Sequence, residues 1–194
     1  MFAPSETQTL YKFGNGGAED QPSVYANVWA HENLSGTERL IIAPRADHIG
    51  LLNNLLDAVP EPMSLLYVLV VPRGKGEAGR YQSPGPLSRE DVTKFLLDFG
   101  YFLERDGRQN LWIRSDSGAA MLVYDRHNLI YAYGHFPEFV PILMRQGLTE
   151  VQPESIVVPD PHSHRYHPVF DSDAEWLLDS LEWQRSPLRE QDER

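Results

Sequence analysis

The chain has 194 residues, 41% of them hydrophobic and 11% aromatic, with 28 acids against 17 Lys and Arg for a formal charge of -11. That apolar content excludes a wholly disordered chain, and the negative field disfavours phosphate backbones and anionic lipid as partners. No cysteine is present, which removes disulfide frameworks, thiol nucleophiles and thiolate zinc sites.

Mean hydropathy is -0.42, and the longest apolar run, Leu65 to Val71, is far short of the roughly 20 residues of a spanning helix. Met1 to Leu10 lacks a basic segment followed by an apolar one. The expectation is a soluble, cytoplasmic chain with no nucleic-acid or membrane partner.

In chain order, Thr9 to Phe13 suits a short strand, followed by the turn or link Gly14-Asn15-Gly16-Gly17. Val24 to Ala30 and Arg39 to Ala43 suit further strands, the second stopped by Pro44. Asp47 is placed to cap a helix through Ala58, in which Ile49, Leu52, Leu56 and Val59 form one apolar stripe. The run Leu65 to Val71 has no polar residue to form a solvent face, so it reads as a strand buried on both sides.

Pro72 to Pro86 is rich in Gly and Pro and reads as a long loop. Ser88 and Asp91 give a capping-box start to the clearest helix, with Val92, Phe95, Leu96, Phe99, Phe102 and Leu103 on one face and Gly107 placed for a left-handed cap. Asn110 to Ser115, Ala119 to Asp125 and Leu129 to Tyr133, joined by short turn-rich connectors, predict an antiparallel meander. A helix from Pro137 to Gly147 follows, then an edge strand within Leu148 to Val158.

Beyond Pro159 the composition changes, and from Asp171 onward eight acids face three arginines. An amphipathic helix from Ser172 to about Gln184 is expected there, docking on its own domain in preference to a partner. The predicted fold class is α+β: a mixed, mostly antiparallel sheet with a three-stranded meander, helices on one face and an appended C-terminal helix. The expected division is one domain over 1–158 and an acidic extension over 159–194.

Gly74 to Gly79 matches G-x-G-x-x-G literally. Two prolines intervene before a helix can begin at Ser88, so the pyrophosphate-binding context is missing. What remains is a loop whose cations Arg73, Lys75 and Arg80 could grip an acidic ligand. Asp160, His162, His164 and His167 form the densest ligand cluster. Neutral imidazoles bind zinc, copper or nickel, and an extended H-x-H pair puts both rings on one face. Against a physiological metal stand the exposed, Pro-bounded context and the lack of H-E-x-x-H, so the expectation is no cofactor, with this cluster as the one metal candidate. His127 reads as a hairpin-turn residue. No G-x-S-x-G marks a serine hydrolase.

In the meander, alternation puts Tyr131 and Tyr133 on one face and Leu111 and Ile113 on one face; Trp112, Tyr124, Tyr131 and Tyr133 serve either as core, the simpler reading, or as a recognition surface. Together these features favour a non-enzymatic binding protein with a protein partner of basic character, a profile shared in broad terms by bacterial immunity proteins that neutralise basic toxins. The alternatives are a metal-dependent hydrolase on the histidine cluster and a small-ligand domain with the 73–80 loop as lid.

Overall fold

The structure is a computed structural model that describes residues 10–192. The strands are β1 (Phe13–Gly14), β2 (Val28–Leu34), β3 (Thr37–Ala43), β4 (Met63–Leu69), β5 (Gly79–Gln82), β6 (Gln109–Ser115), β7 (Met121–Tyr124), β8 (Ile130–Tyr133), β9 (Thr149–Glu150), β10 (Ser163–His164) and β11 (Gln184–Ser186). The helices are α1 (His48–Leu55), α2 (Arg89–Arg105), α3 (Phe136–Arg145) and α4 (Asp171–Asp179). Among the described residues nine strands form one sheet in the order β11-β5-β4-β6-β7-β8-β3-β2-β9, antiparallel throughout except where β9 joins β2, and β1 pairs with β10 separately. The fold is α+β with the expected meander β6-β7-β8.

Alternation along these strands divides the sheet into two faces with different fates. Leu65, Tyr67 and Leu69 on β4, Leu111 and Ile113 on β6, and Leu122 and Tyr124 on β7 join the main core beneath the helices. The α2 stripe supplies Val92, Phe95, Leu96, Phe99, Phe102 and Leu103 to that core, each fully buried side chain being worth about 1.5–3 kcal/mol. Its start is fixed as expected: Ser88 Oγ accepts from the Asp91 N–H, and the Asp91 carboxylate accepts from the Ser88 N–H at 2.9 Å.

Residues 159–192 add to the same framework. β11 extends the sheet beyond β5, while Phe170, Ala174 and Leu177 enter the main core and Trp176 packs on Phe99 with ring centroids 4.6 Å apart. A buried ion pair fastens the joint: Arg108 donates to both Asp106 oxygens at 2.7 and 3.0 Å and to Asp171 at 3.0 Å. The helix of this segment ends at Asp179, short of Gln184, and Trp183 turns back to donate to the Leu177 carbonyl.

Several local expectations are corrected. Asp47 takes the left-handed conformation and makes no side-chain cap; Glu104 of α2 accepts the Ile49 N–H instead. Gly107 has no positive φ, and its role is clearance, since a Cβ there would lie 2.8 Å from the Lys12 carbonyl. The 72–86 loop contains β5, which pairs with β4 as a hairpin and places Arg80 on a strand. The expected strand from Thr9 begins outside the described residues. Among the described residues no helix is long and apolar enough to cross a membrane.

Candidate metal centre

Two segments far apart in sequence meet at a cluster of histidines. One is the β7–β8 turn, where Asp125 accepts the backbone N–H groups of His127 and Leu129, both at 2.9 Å, and so fixes the turn geometry. The other is β10, held against β1 with Phe13 opposite His164 and Gly14 opposite Ser163. The extended backbone of β10 turns His162 and His164 to one side and Ser163 to the other.

On that other side Asp20 acts as the anchor. Its carboxylate accepts from Ser163 Oγ and from Arg165 Nε, each at 2.7 Å, and from the Gly16 N–H at 3.0 Å. The Ser163 hydrogen bond, with those from Gly16 and Arg165, lowers the Asp20 carboxyl below its ordinary value. The glycine loop follows from this closeness. A Cβ on Gly14 would meet Asp20 Oδ1 at 2.4 Å, and one on Gly16, at φ +62°, would lie 2.8 Å from the His162 backbone.

The result is a cluster of three imidazoles, His127, His162 and His164, whose ligand nitrogens all lie within 4.8 Å of one another. A point no more than about 2.8 Å from all three therefore exists, against the roughly 2.0–2.1 Å of a zinc–nitrogen bond, so small ring rotations would close the site. Phe13, fully buried, forms the floor, with its ring centroid 5.3 Å from His127, 5.8 Å from His162 and 5.9 Å from His164. Lys12, beside it, donates to the Asp125 carbonyl at 2.8 Å and ties β1 to the turn. Burial lowers this ammonium to about 7, against the pull of Asp125 and Glu104.

The hydrogen bonds around the rings set which nitrogen presents a lone pair. His127 Nδ1 sits 2.9 Å from the Asp125 carboxylate and His162 Nδ1 sits 3.0 Å from the Pro159 carbonyl; both oxygens accept, so each Nδ1 donates and each Nε2 is left as acceptor. A carboxylate or carbonyl behind the imidazole is the usual outer shell of a metal-binding histidine. His164 differs: both ring nitrogens are buried and neither has a hydrogen-bond partner. Burial holds its pKa down to about 3, helped by the Arg126 guanidinium and the neighbouring histidines, so the ring is neutral at ordinary pH. Keeping both nitrogens of a half-buried, neutral imidazole away from water without a partner is costly.

His127 and Asp125 also line a cleft of about 440 Å³ on the sheet face opposite the helices. Trp112, Tyr131 and Tyr133 line it too and face away from the main core, with Tyr131 packed on the small second cluster of Ile41, Ala43 and Leu129, whereas Tyr124 is buried in the main core as the simpler reading has it. Register explains this: Tyr131 pairs with Val123 and Ile41, and Trp112 pairs with Val123 and Leu66, all on the open face. Arg39 lies over the Tyr131 ring at 4.3 Å and donates to Tyr133 Oη at 3.3 Å.

The other predicted site residues lie elsewhere. Asp160 is outside the cluster. His167 Nε2 instead donates to the Tyr11 carbonyl at 2.9 Å, and its backbone N–H to Asp106 at 2.8 Å. The three loop cations have acid partners in the chain's own tail: Arg73 with Asp171, Lys75 with Glu175, and Arg80 with Asp192. His127 is the ligand candidate that sequence reading missed, and its one local sign is Asp125 two residues earlier. Against protein-family models, curated proteins and solved structures alike, the chain finds no match.

Proposed function

We propose that this chain is a metalloprotein that binds one zinc-class divalent ion through His127, His162 and His164, with His127 in place of Asp160 and His167. The observation that carries this reading is that both ring nitrogens of half-buried His164 are shielded and unpartnered beside two imidazoles whose Nδ1 atoms are already held by Asp125 and Pro159. Three neutral nitrogen ligands suit zinc, nickel or copper, and three protein ligands leave a fourth position for water, as in catalytic zinc sites. His127 and Asp125 also line the adjoining cleft, where a substrate could sit beside such an ion, so the reaction class that fits is metal-assisted hydrolysis. Zinc would bring its bound water to a pKa of about 7, and the residues supply orientation and a dry floor.

The test is elemental analysis of untagged protein purified without chelator. About one zinc-class ion per chain, lost in His164→Ala and in His127→Ala, supports the reading. Its absence from protein expressed with ample zinc, or retention by both variants, overturns it. Matching thermal midpoints for the metal-free wild type and metal-free variants would show that the variants fold.

A second reading, a basic protein partner, is supported by Tyr101 and Trp176, 62% and 51% exposed near the α2–α4 contact, in a chain of charge -11. Capture of a basic protein at low salt and its release at high salt supports it. Capture that is insensitive to salt counts against it.

A further inference from the structure

On the same open face, next to the metal-flanking cleft and sharing Trp112 with it, lies a second cleft of about 270 Å³. The sheet register builds it. Arg80 pairs with Val68, Gln82 and Trp112 both pair with Leu66, and Arg114 pairs with Ser64 and Met121. Residues directly opposite in an antiparallel ladder share a face, so all of these side chains emerge together. Leu66, Trp112 and Met121 give an apolar floor, Ser64 and Gln82 give polar groups, and Arg189 of the C-terminal segment closes one side.

Three arginines thus converge on one small cleft of an acidic protein. Arg80 is neutralised by Asp192 at 2.5 Å in a pair almost wholly buried, and its guanidinium lies 5.2 Å from the Trp112 ring centre. Arg114 and Arg189 differ from it. Among the described residues neither guanidinium has an acid partner, although acids outnumber cations by 28 to 17 and most of the described cations are paired. Two uncompensated guanidiniums beside an indole match a dianion attached to a planar ring, because arginine forks onto phosphate oxygens and the indole stacks on the ring.

We infer that this arginine cleft binds a phosphate monoester carried on a planar ring, the chemistry of a nucleoside monophosphate. The two positive charges set the preference for a phosphate dianion over a single carboxylate, and Trp112 sets the preference for a ring-bearing body over phosphate alone. The ligand lies along β4 and β6, and its ring end reaches toward the neighbouring cleft through Trp112. The metal plays no part in this binding.

Isothermal titration of the full chain in low-salt buffer with a chelator present tests the inference. The probes are adenosine 5′-monophosphate, adenosine, inorganic phosphate and 2-naphthoate. Adenosine 5′-monophosphate is expected to bind at least tenfold more tightly than each of the other three. Arg114→Gln and Arg189→Gln, both at exposed positions, should each weaken it about tenfold with no change in the urea midpoint. Trp112→Leu should bring its affinity down to that of inorganic phosphate. Binding of the nucleotide no tighter than inorganic phosphate, equal binding of 2-naphthoate, or full affinity in Arg114→Gln would overturn the inference. Since the chelator removes any metal, failure here leaves the metal reading untouched, and the reverse holds too.

Discussion

Replacing Asp106 by alanine should be among the most damaging single changes in this chain. The Asp106 and Arg108 side chains are both fully shielded from solvent. The carboxylate accepts four hydrogen bonds: from Arg108 Nε at 2.7 Å, Arg108 Nη2 at 3.0 Å, the Arg108 N–H at 3.1 Å and the His167 N–H at 2.8 Å. Its removal strands a buried guanidinium, for which the cost runs to about 3–5 kcal/mol. Asp171, still 3.0 Å from Arg108 Nη2, should hold the loss toward the lower end of that range. A fall of ~3 kcal/mol lowers the thermal midpoint of a chain this size by roughly 6–12 °C. Urea unfolding followed by circular dichroism, with the slope checked for constancy, measures the loss directly. The double variant Asp106→Leu/Arg108→Met should recover part of it, because no buried guanidinium is stranded and Asp171 keeps Arg73, while the His167 N–H still loses its acceptor. A loss below about 1 kcal/mol in Asp106→Ala would refute the claim that this pair fastens the 159–192 segment to the body.

Three further outcomes follow from the same structure. His48 is 8% exposed and burial lowers its pKa to about 3, so the folded state keeps it neutral while the unfolded chain takes up a proton below about 6.5. Its contribution is therefore complete above about 6.5 and declines as pH falls toward 3, by ~2 kcal/mol between pH 7.5 and 5; His48→Met should flatten the pH dependence of urea stability by about that amount. Asp125→Asn, which removes the carboxylate behind His127, should weaken zinc binding about 10–100-fold in a competition titration with a chromophoric chelator. Gly16→Ala strains a left-handed residue and pushes a methyl against the His162 backbone, so it should lose about 1–2 kcal/mol in urea and also weaken zinc binding. Wild-type zinc affinity in Gly16→Ala would show that the glycine loop does not position the site.

Where a repeat in the sequence matched the geometry of an element, the fold was legible. The α2 stripe and its capping box read directly, because burial at three- and four-residue spacing leaves a periodic trace. The meander read through its turns. β5, β10 and β11 did not, since strands of two to four residues such as Ser163–His164 carry no alternation to detect and exist through their partners. Period-two logic correctly grouped Tyr131 with Tyr133, yet only the helices decide which face is core, and they lie on the side of Leu111 and Ile113.

The candidate site was half legible for a related reason. The H-x-H spacing of His162 and His164 encodes a shared face locally, so it was visible. His127 lies 35 residues earlier, and only the pairing of β1 with β10 beside the β7–β8 turn brings it near. His167 has the composition of a ligand but its ring is committed to the Tyr11 carbonyl. The cations at Arg73, Lys75 and Arg80 looked available for an acidic ligand because their partners, Asp171, Glu175 and Asp192, lie about a hundred residues further on.

The most direct test of the metal centre is a cobalt(II) titration of metal-free protein followed by visible absorption. Three imidazoles with one open position predict saturation at one equivalent, with the intense visible bands of four-coordinate cobalt, and their loss in His127→Ala and in His164→Ala. Weak six-coordinate bands without a stoichiometric end point, or an unchanged spectrum in the two variants, would contradict the account.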